Sequence, residues 1–231
     1  MLPEAHLADL DRLASTYWWH VVRTRHVAAA VDGPVRSYLD LGCGPGATTR
    51  EVAKAVGASR VVGLDFDPRL KDPCRKNGVD FKQADLEKGD LALSGERFDF
   101  WTAMDVLEHL DDPGRLLRAL KPALAEGAVG VVTVPAFPLL FSDWDRALGH
   151  RRRYTRQALR ALLTDAGYDV LDMRHLYGFA FLPALWRRKK KAGNAEFPKV
   201  PAWLNSALIA AGTHEPALPF GTTLLAAVRA A

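Results

Sequence analysis

The sequence predicts an α/β protein built on a seven-stranded sheet that is mostly parallel and covered by helices on both faces. Short apolar runs bounded by glycine, proline and aspartate alternate along the chain with segments of helical period. This alternation is typical of a covered parallel sheet. The 231 residues suffice for one such domain with insertions and are too few for two ordinary domains. We therefore expect a single domain over residues 1–231.

The elements follow from these patterns in order. The predicted strands are the apolar runs at 37–41, 60–65, 79–83, 98–104, 129–134, 169–176 and 222–229. The predicted helices cover 48–56, 68–76, 113–124 and 156–166, and Pro73 weakens the second because proline removes a helix hydrogen bond. Between the last two strands the chain shows no obvious crossover helix, only a segment rich in proline and basic residues. The last strand could therefore run antiparallel.

Composition excludes several classes of protein. The 31 basic and 27 acidic side chains give a net charge of only +4, which does not by itself argue for nucleic acid. Cys43 and Cys74 have the spacing of neither a disulfide framework nor a zinc site, so no metal site is predicted. The first residues lack the order of a signal peptide, and no apolar run approaches the roughly 20 residues that span a bilayer. We expect a cytoplasmic protein.

The loop "LDLGCGPG" after the first strand fits two nucleotide-like cofactors. Gly42, Gly44 and Ala47 satisfy the dinucleotide pattern G-x-G-x-x-A. Asp40, Gly42, Gly44 and Gly46 satisfy the D-x-G-x-G-x-G loop of enzymes that use S-adenosylmethionine (SAM). Glycines at such a turn allow positive φ and let a ligand approach without a Cβ in the way. The loop alone does not choose between the two cofactors.

Two acidic residues near this loop narrow the choice. Asp65 ends the second strand, where a carboxylate can accept hydrogen bonds from both hydroxyls of a ribose. Because NAD and SAM both contain ribose, Asp65 indicates a ribose-containing cofactor but does not distinguish between the two. Asp40 would oppose a pyrophosphate at the helix N-terminus but suits the ammonium group of SAM. Asp40 could also cap loop amides from below, which is compatible with either ligand.

Several motifs together resemble one family. The succession "LDLGCGPG", "VVGLDFDP", "ADLE", "FDFWTAMDVLEHLDDP" and "LLTDAGY" is similar to the class I SAM-dependent methyltransferases, especially the ubiquinone-biosynthesis O-methyltransferases. The resemblance covers residues 38–176 and implies a Rossmann-like seven-stranded sheet with an antiparallel last strand and SAM across the strand ends. The chain departs from the family pattern at Pro73 and where "LKPALAEGA" replaces "LKPGG", which changes the length of that loop.

The resemblance also implies roles for individual residues. Gly42, Gly44 and Gly46 would line the methionine moiety, Asp65 would hold the ribose, Asp85 and Leu86 would border the adenine, and Asp105 would face the donor near the sulfonium.

Candidate bases are suggested by the reaction itself. Methyl transfer from a sulfonium is an in-line displacement, so a base is needed only for a protonated, weakly acidic acceptor. The candidates are His109 after the fourth strand, His150 and Tyr154 in "LGHRRRYT", and His20 near the N-terminus. Each histidine could instead cap or hydrogen-bond its own turn.

The loop after the fifth strand is the predicted site of the acceptor. "FPLLFSDWDRALGHRRRY" mixes aromatic and apolar residues with the arginines at 151–153. An apolar pocket with a cationic rim would suit an amphipathic or anionic acceptor. The same composition also fits an ordinary loop with solvated arginines.

The segments on either side of the predicted SAM-binding core, 37–176, offer two further functions. Residues 1–36 could form a lid in which Arg23 or Arg25 meets the SAM carboxylate, or a helix that packs on the sheet edge. In the insertion at 177–221, aromatic and aliphatic residues lead into the basic run "RRKKK". An apolar wedge beside cations would let residues 179–191 contact an anionic membrane, although the same residues could line a pocket.

The sequence therefore predicts a SAM-dependent methyltransferase that acts on a small-molecule or lipid-linked acceptor. A NAD(P)-dependent oxidoreductase and a SAM-binding partner protein without catalysis are the alternatives. A nucleic-acid substrate is disfavoured because the basic residues cluster in two short loops and no recognised RNA or DNA module is present. The sequence does not predict the acceptor's identity or the oligomeric state.

Overall fold

The computed structural model describes residues 4–188 and 197–230, and it confirms the predicted α/β fold. Seven strands form one sheet in the order β3-β2-β1-β4-β5-β7-β6. They are β1 (Ser37–Leu41), β2 (Arg60–Asp65), β3 (Asp80–Gln83), β4 (Phe98–Met104), β5 (Leu124–Pro135), β6 (Tyr168–Leu176) and β7 (Thr223–Ala230). The strands β1 to β5 pair in parallel, whereas β7 is antiparallel to both β5 and β6. The predicted antiparallel last strand is confirmed.

Helices connect and flank these strands. In the described part of the chain they are α1 (Glu4–Leu13), α2 (Trp18–Ala28), α3 (Ala47–Val56), α4 (Lys71–Lys76), α5 (Pro113–Leu120), α6 (Asp143–Ala147), α7 (Arg156–Asp165), α8 (Phe181–Arg187) and α9 (Ala202–Thr213). The helix α7 begins after Thr155, whose side chain accepts a hydrogen bond from the backbone N–H of Ala158, as expected of an N-cap.

Both faces of the sheet are covered, as predicted. Along β1, Leu39 and Leu41 lie in one buried cluster with residues of α5 and α7. Tyr38 lies in a second cluster with Val22 of α2 and Val52 of α3. This division follows from strand geometry, because successive side chains point to opposite faces. The helix α2 therefore packs on the sheet through one of its faces.

The largest error in the predicted boundaries falls between β4 and β5. The helix predicted at 113–124 ends at Leu120, and β5 begins at Leu124, five residues before the predicted strand. A short 3₁₀ turn at Lys121–Ala123 separates the two elements. Pro122 explains the early end, because proline has no backbone N–H to continue the helical hydrogen bonds.

The expectation that no helix lies between the last two strands is wrong. The segment before β7 contains α8 and α9, of which α9 follows Pro201. Its sequence hid the second helix because α9 is almost uniformly apolar and lacks the polar face by which an amphipathic helix is recognised. His26 of α2 makes a 2.9 Å hydrogen bond through Nε2 to the carbonyl of Gly212, which fixes α9 against α2.

Among the described residues, the helices are too short or too polar to cross a membrane.

Candidate cofactor and acceptor site

A cavity of about 900 Å³ opens at the carboxyl ends of the parallel strands. Its wall includes Asp65 at the end of β2, Asp105 after β4 and Pro135 at the end of β5. Ligands of open α/β sheets bind at this edge, and small-molecule pockets commonly measure about 300–1,000 Å³. The cavity therefore has the position and the size of a cofactor site.

The glycine loop forms part of this wall through Gly42 and Gly44. Both have positive φ, at 71° and 53°. A Cβ on Gly42 would lie 2.7 Å from Cγ2 of Val106, so the loop after β4 requires glycine there. A Cβ on Gly44 would meet no protein atom within 4 Å. Because Gly44 lies on the cavity wall, its missing side chain leaves room for a ligand beside the backbone.

Gly46 lies against protein atoms, and the methionine contact that the resemblance implied for it stays a prediction. It is the N-cap of α3 with φ of 81°, and the structure does not place it on the cavity wall. A Cβ there would lie 3.2 Å from both Cα and Sγ of Cys74. Gly46 therefore permits close packing of α3 against α4.

Asp65 lies on the cavity wall with its carboxylate oriented by backbone groups. Its Oδ2 accepts a hydrogen bond from the backbone N–H of Gly44 at 3.1 Å, and its Oδ1 accepts one from that of Asp67 at 3.2 Å. A carboxylate offers about four acceptor positions, so each oxygen keeps one for a ribose hydroxyl. Burial raises the pKa of Asp65. The structure thus fits the predicted ribose contact.

Asp40 is buried beneath the loop. It accepts hydrogen bonds from the hydroxyl of Thr49 at 2.6 Å and from that of Thr102 at 2.5 Å. Among the described residues, the hydrogen-bond donors to Asp40 are these two hydroxyls. The alternative role, in which Asp40 caps the loop, would require backbone N–H groups as donors. Burial raises the pKa of Asp40 to about 6. Asp40 also borders the cavity, so its contact with an ammonium group stays a prediction.

Asp85 and Leu86 follow β3 and also lie on the wall. Leu86 is buried, whereas Asp85 is exposed and forms an ion pair with Lys88 at 3.1 Å. The hydrogen bond from Lys88 lowers the pKa of Asp85. Their position beside the end of β3 is compatible with the predicted adenine contact.

Asp105 links the sheet to the N-terminal segment. It has a left-handed backbone with φ of 58°, and its carboxylate pairs with the guanidinium of Arg23. Arg23 is 5% exposed and stacks over the ring of Trp19, with 4.2 Å from its Cζ to the ring centroid. Of the two predicted partners of the SAM carboxylate, only Arg23 borders the cavity. The side chain of Arg25 instead donates to the hydroxyl of Thr213.

An aromatic part of the wall comes from two distant segments. Tyr17, Trp18 and Trp19 come from the N-terminal segment, and Phe197 and Pro198 come from the insertion. The rings of Tyr17 and Phe197 lie 5.5 Å apart, and the hydroxyl of Tyr17 donates to the carbonyl of Pro198 at 3.3 Å. The helix α2 therefore packs on the sheet and its start borders the cavity, and the predicted closure of residues 1–36 over the donor stays a prediction.

His109 and His150 meet on the cavity wall. Their ring centroids are 4.8 Å apart in an edge-to-face arrangement, and Glu108 lies behind them, fully buried. Burial lowers the pKa of His109, which favours its neutral form. Burial and the nearby carboxylate of Asp105 raise the pKa of Glu108 well above its usual range. The two predicted histidines are thus brought together beside Asp105.

Tyr154, the third predicted catalytic residue, lies elsewhere. It is 5% exposed, and its hydroxyl donates to the carbonyl of Leu107 at 3.0 Å. Burial raises the pKa of Tyr154 to about 12. The cavity wall does not include it, so this placement does not support a catalytic role.

The predicted cationic rim is largely neutralised. Arg151 pairs with Asp111, and the Nε of Arg153 donates to Asp145 at 2.8 Å. Arg152 donates to the carbonyl of Leu110 at 2.9 Å and does not border the cavity. Two of these three arginines, Arg151 and Arg153, therefore lie on the wall, but each is already paired with a carboxylate.

Sequence reasoning missed Glu108 and Phe197. Glu108 stands next to His109 in "LEHLDDP", where an acid in a turn is expected to be solvated. Its burial results from packing beneath the turn after β4, which the local sequence does not indicate. Phe197 lies about 180 residues from its neighbour Tyr17, and no local pattern connects them.

Comparisons with known proteins agree with this geometry. A family described as a methyltransferase domain matches residues 11–173. The chain is 31% identical to a ubiquinone biosynthesis O-methyltransferase of Cereibacter sphaeroides, over 64% of this chain and 65% of that protein. It is also 31% identical to an uncharacterised 37.1 kDa protein of transposon TN4556 in Streptomyces fradiae, over 70% of this chain and 51% of the relative. The matched parts therefore span about half to two thirds of these relatives.

A solved structure shows the same fold at low sequence identity. The N-methyltransferase NodS of Bradyrhizobium japonicum, solved with S-adenosylhomocysteine, superposes with a TM-score of 0.64 at 17% identity. The superposition covers 98% of this chain and 95% of NodS. The family match extends over most of the chain and includes the glycine loop, the acidic residue after β2 and the turn after β4. This chain belongs to the methyltransferase domain family, and its core is a class I SAM-dependent methyltransferase domain.

Proposed function

We propose that this protein transfers the methyl group of SAM to a hydroxyl oxygen of an apolar acceptor that is either small or attached to a lipid. The observation that carries the proposal is one cavity with two kinds of wall. Gly44 and Asp65 form a polar wall suited to the cofactor, and Tyr17, Trp18 and Phe197 form an aromatic wall suited to an apolar acceptor. The name of the relative from Cereibacter sphaeroides supports oxygen as the methylated atom.

The cofactor is proposed to lie along the strand ends. Asp65 would accept from the ribose, Asp85 and Leu86 would border the adenine, and the aminoacyl end would lie near Gly44 and Arg23. Arg23 is paired with Asp105, so a SAM carboxylate would join an existing ion pair. Bound SAM supplies an electrophilic methyl group, and the protein contributes by aligning it with the acceptor in a shielded pocket.

The acceptor hydroxyl is proposed to give its proton to a ring nitrogen of His109, whose neutral form burial favours, beside His150. Both border the cavity near Asp105, which the resemblance places near the sulfonium. The lone pair of the acceptor oxygen forms the new bond to the methyl carbon. The electrons of the broken carbon–sulfur bond pass to sulfur, which leaves S-adenosylhomocysteine.

Mass spectrometry with SAM carrying a deuterated methyl group tests this function. The protein would be incubated with aromatic hydroxyl compounds that bear short or long apolar chains, and labelled products would be sought. We expect labelled products that increase with protein concentration. Binding of SAM without transfer to any acceptor would favour the alternative of a partner protein without catalysis. A control with Asp65→Ala should reduce transfer about 10- to 150-fold at low SAM concentration.

We further propose that the insertion holds the protein at an anionic membrane, where a lipid-linked acceptor would be found. Leu182 and Trp186 of α8 are 71% and 66% exposed, and Trp203 of α9 is 73% exposed. The helix α9 has no charged residue, and Arg187 is exposed at the end of α8. Exposed tryptophan and leucine beside cations are typical of interfacial helices. The lysines of the predicted contact, 189–191, lie outside the described residues.

Sedimentation with lipid vesicles tests the membrane proposal. We expect the protein to bind vesicles that contain anionic lipid, to ignore neutral ones, and to be released by salt, since screening shortens electrostatic attraction. Trp186→Ala with Trp203→Ala should abolish binding, whereas Leu171→Ala on the outer strand β6 should not. If the wild type ignores anionic vesicles at low salt, the insertion is a pocket wall and a small acceptor becomes the favoured substrate.

A further inference from the structure

The aromatic part of the cavity wall depends on the first turn of α2, whose own sequence supplies no cap. Tyr17 is the N-cap residue, and its side chain makes no capping hydrogen bond in the described part of the chain. The first N–H groups of a helix need acceptors from outside the helix. Since Trp18 and Trp19 border the cavity at this turn, their position requires support from another part of the chain.

Asn205 of α9 provides this cap from the insertion. Its Oδ1 accepts a hydrogen bond from the backbone N–H of Trp18 at 2.9 Å, and its Nδ2 donates one to the carbonyl of Thr16 at 2.8 Å. Asparagine is among the most favourable residues at a helix N-cap, because its side-chain oxygen satisfies one of the first N–H groups. Here the same chemistry comes from a residue 187 positions away along the chain. Asn205 therefore fixes the backbone on both sides of Tyr17.

Tyr177 holds the same turn from the start of the insertion. Its hydroxyl donates to the carbonyl of Trp19 at 2.6 Å, and its ring lies edge-to-face with Trp18, with 5.4 Å between the centroids. Tyr177 is fully buried directly after β6. The carboxylate of Glu215 accepts hydrogen bonds from the backbone N–H of Tyr177 at 2.6 Å and from that of Gly178 at 3.0 Å. Tyr177 is thus itself held in place beneath the two tryptophans.

The rest of α2 is anchored separately. Arg23 pairs with Asp105 after β4, and Val22 lies in the buried cluster on the sheet. These contacts hold the body of the helix without the insertion. The contacts of Asn205 and Tyr177 fall instead on residues 16–19. Their loss should therefore displace the tryptophans and leave Arg23 in place.

We propose that Asn205 and Tyr177 are positioning residues that hold Trp18 and Trp19 against the acceptor. This role rests on the proposed function, in which an apolar acceptor contacts the aromatic wall. The described cavity wall includes neither Asn205 nor Tyr177, so each acts through the backbone of α2. Because a pocket binds its ligand through well-placed apolar side chains, displaced tryptophans should weaken the acceptor more than SAM.

Steady-state kinetics with labelled SAM test the proposal, with an acceptor that the wild type methylates. We expect Asn205→Ala to raise the KM of the acceptor about fivefold, the change expected from one lost helix cap. The value of kcat, and the SAM affinity from calorimetric titration, should stay within about twofold of the wild type, since the lost contact serves acceptor binding. Asn205→Asp keeps the oxygen that accepts from Trp18 and should restore the KM.

Thr213→Val is the matched control. The hydroxyl of Thr213 accepts from Arg25 at 2.9 Å, so this variant also removes a hydrogen bond between α9 and α2, but away from the cavity wall. Its acceptor KM should equal that of the wild type. Tyr177→Phe removes a single oxygen atom and keeps the test valid if Asn205→Ala does not fold. An equal rise in KM for Thr213→Val, or an unchanged KM for both Asn205→Ala and Tyr177→Phe, would overturn the proposal.

Near-UV circular dichroism gives a second readout that needs neither SAM nor acceptor. Displaced tryptophan rings should change the near-UV spectrum of Asn205→Ala and leave its far-UV spectrum unchanged, whereas Thr213→Val should match the wild type in both. A near-UV spectrum of Asn205→Ala identical to that of the wild type would overturn the proposal. A changed near-UV spectrum in a protein that methylates no acceptor would support the placement of the tryptophans and would reject the proposed function instead.

Discussion

The two walls of the cavity are constructed in different ways. The wall that we propose for the cofactor consists of residues at or just after strand ends, such as Gly44 after β1 and Asp65 at the end of β2. The wall that we propose for the acceptor combines α2, the loop after β5 and the insertion, whose residues Tyr17, His150 and Phe197 are far apart in the chain. We refer to these as the cofactor wall and the acceptor wall.

This difference explains why the two walls should tolerate substitutions differently. The cofactor wall depends on backbone conformation and on a sheet whose core is buried, so a substitution there disturbs both fold and ligand. The acceptor wall consists of side chains on helices and loops at the periphery. Such segments tolerate change better and commonly carry specificity. Substitutions in the two walls should therefore have separable effects on stability, cofactor binding and acceptor binding.

Two buried carboxylates, one on each side, should respond to pH in opposite directions. Burial raises the pKa of Asp40 to about 6, so the folded state favours its protonated form. Its contribution to the free energy of unfolding should fall by about 3 kcal/mol as the pH rises from about 4 through 6. Urea denaturation at several pH values checks this, because Asp40→Asn should lack the decrease that the wild type shows.

Asp145, beneath the acceptor wall, should behave in the opposite way. Burial opposes its ionisation, but hydrogen bonds from His150 and Arg153 outweigh burial and hold its pKa at about 2. Its contribution, about 2 kcal/mol, is present above pH 4 and is lost as the pH falls toward 2. Asp145→Asn should therefore destabilise the protein at pH 7. Parallel pH profiles for both asparagine variants would contradict the assigned environments.

Asp65→Ala should weaken SAM more than Asp85→Ala does. Asp65 is oriented by the N–H groups of Gly44 and Asp67, whereas Asp85 is exposed and paired with Lys88. Charged hydrogen bonds contribute about 1.5–3 kcal/mol, so we expect a loss of about 10- to 150-fold at Asp65 and less than about tenfold at Asp85. Calorimetric titration of both variants with SAM measures the difference. Equal losses would mean that Asp65 does not hold the ribose.

The cofactor wall was the more predictable from sequence for the same physical reason. Gly42, Gly44 and Asp65 stand beside strand ends, so the order of strands alone brings them together, and all three border the cavity. Spacing could not show that the missing side chain of Gly46 makes room for Cys74.

The acceptor wall could be predicted only in part. The loop containing His150 was expected near the acceptor because it follows β5, and His150 does border the cavity. The pairing of its arginines with carboxylates depends on long-range packing, which no periodicity reports. The helix α9 was missed because its mostly apolar sequence shows no separate polar face. The contact between Phe197 and Tyr17 was missed as well, because it depends on how the segment before α9 folds back onto the N-terminal residues.

Phe197→Ala should affect the acceptor while leaving the cofactor unchanged. Loss of part of the apolar contact of one phenylalanine should cost about 1 kcal/mol, which corresponds to about a fivefold higher KM for the acceptor. The affinity for SAM should stay within error of the wild type. Phe220→Ala is a suitable control, because Phe220 is 39% exposed and lies outside the cavity wall. A loss of SAM affinity as large as the change in KM would mean that the two walls do not bind cofactor and acceptor separately.

Alanine substitutions at Gly44 and Gly33 should change stability only slightly and should differ in their effect on SAM affinity. Gly44 and Gly33 both have positive φ, and a Cβ on either would meet no atom within 4 Å. Alanine at each should therefore cost about 1 kcal/mol of stability through backbone strain alone. Only Gly44→Ala should also weaken SAM, because only Gly44 borders the cavity. Thermal denaturation and SAM titration of both variants test this, and a SAM loss shared by Gly33→Ala would point to an indirect effect of stability.

Calorimetric titration of the wild-type protein with SAM, S-adenosylhomocysteine and NADH shows which cofactor the cofactor wall binds. With Asp40 beneath the loop and Asp65 beside Gly44, this wall suits a ribose cofactor that carries an ammonium group and lacks a pyrophosphate. We expect SAM and S-adenosylhomocysteine to bind at one site and NADH not to bind. Binding of NADH without binding of SAM would contradict the assignment of this wall to SAM.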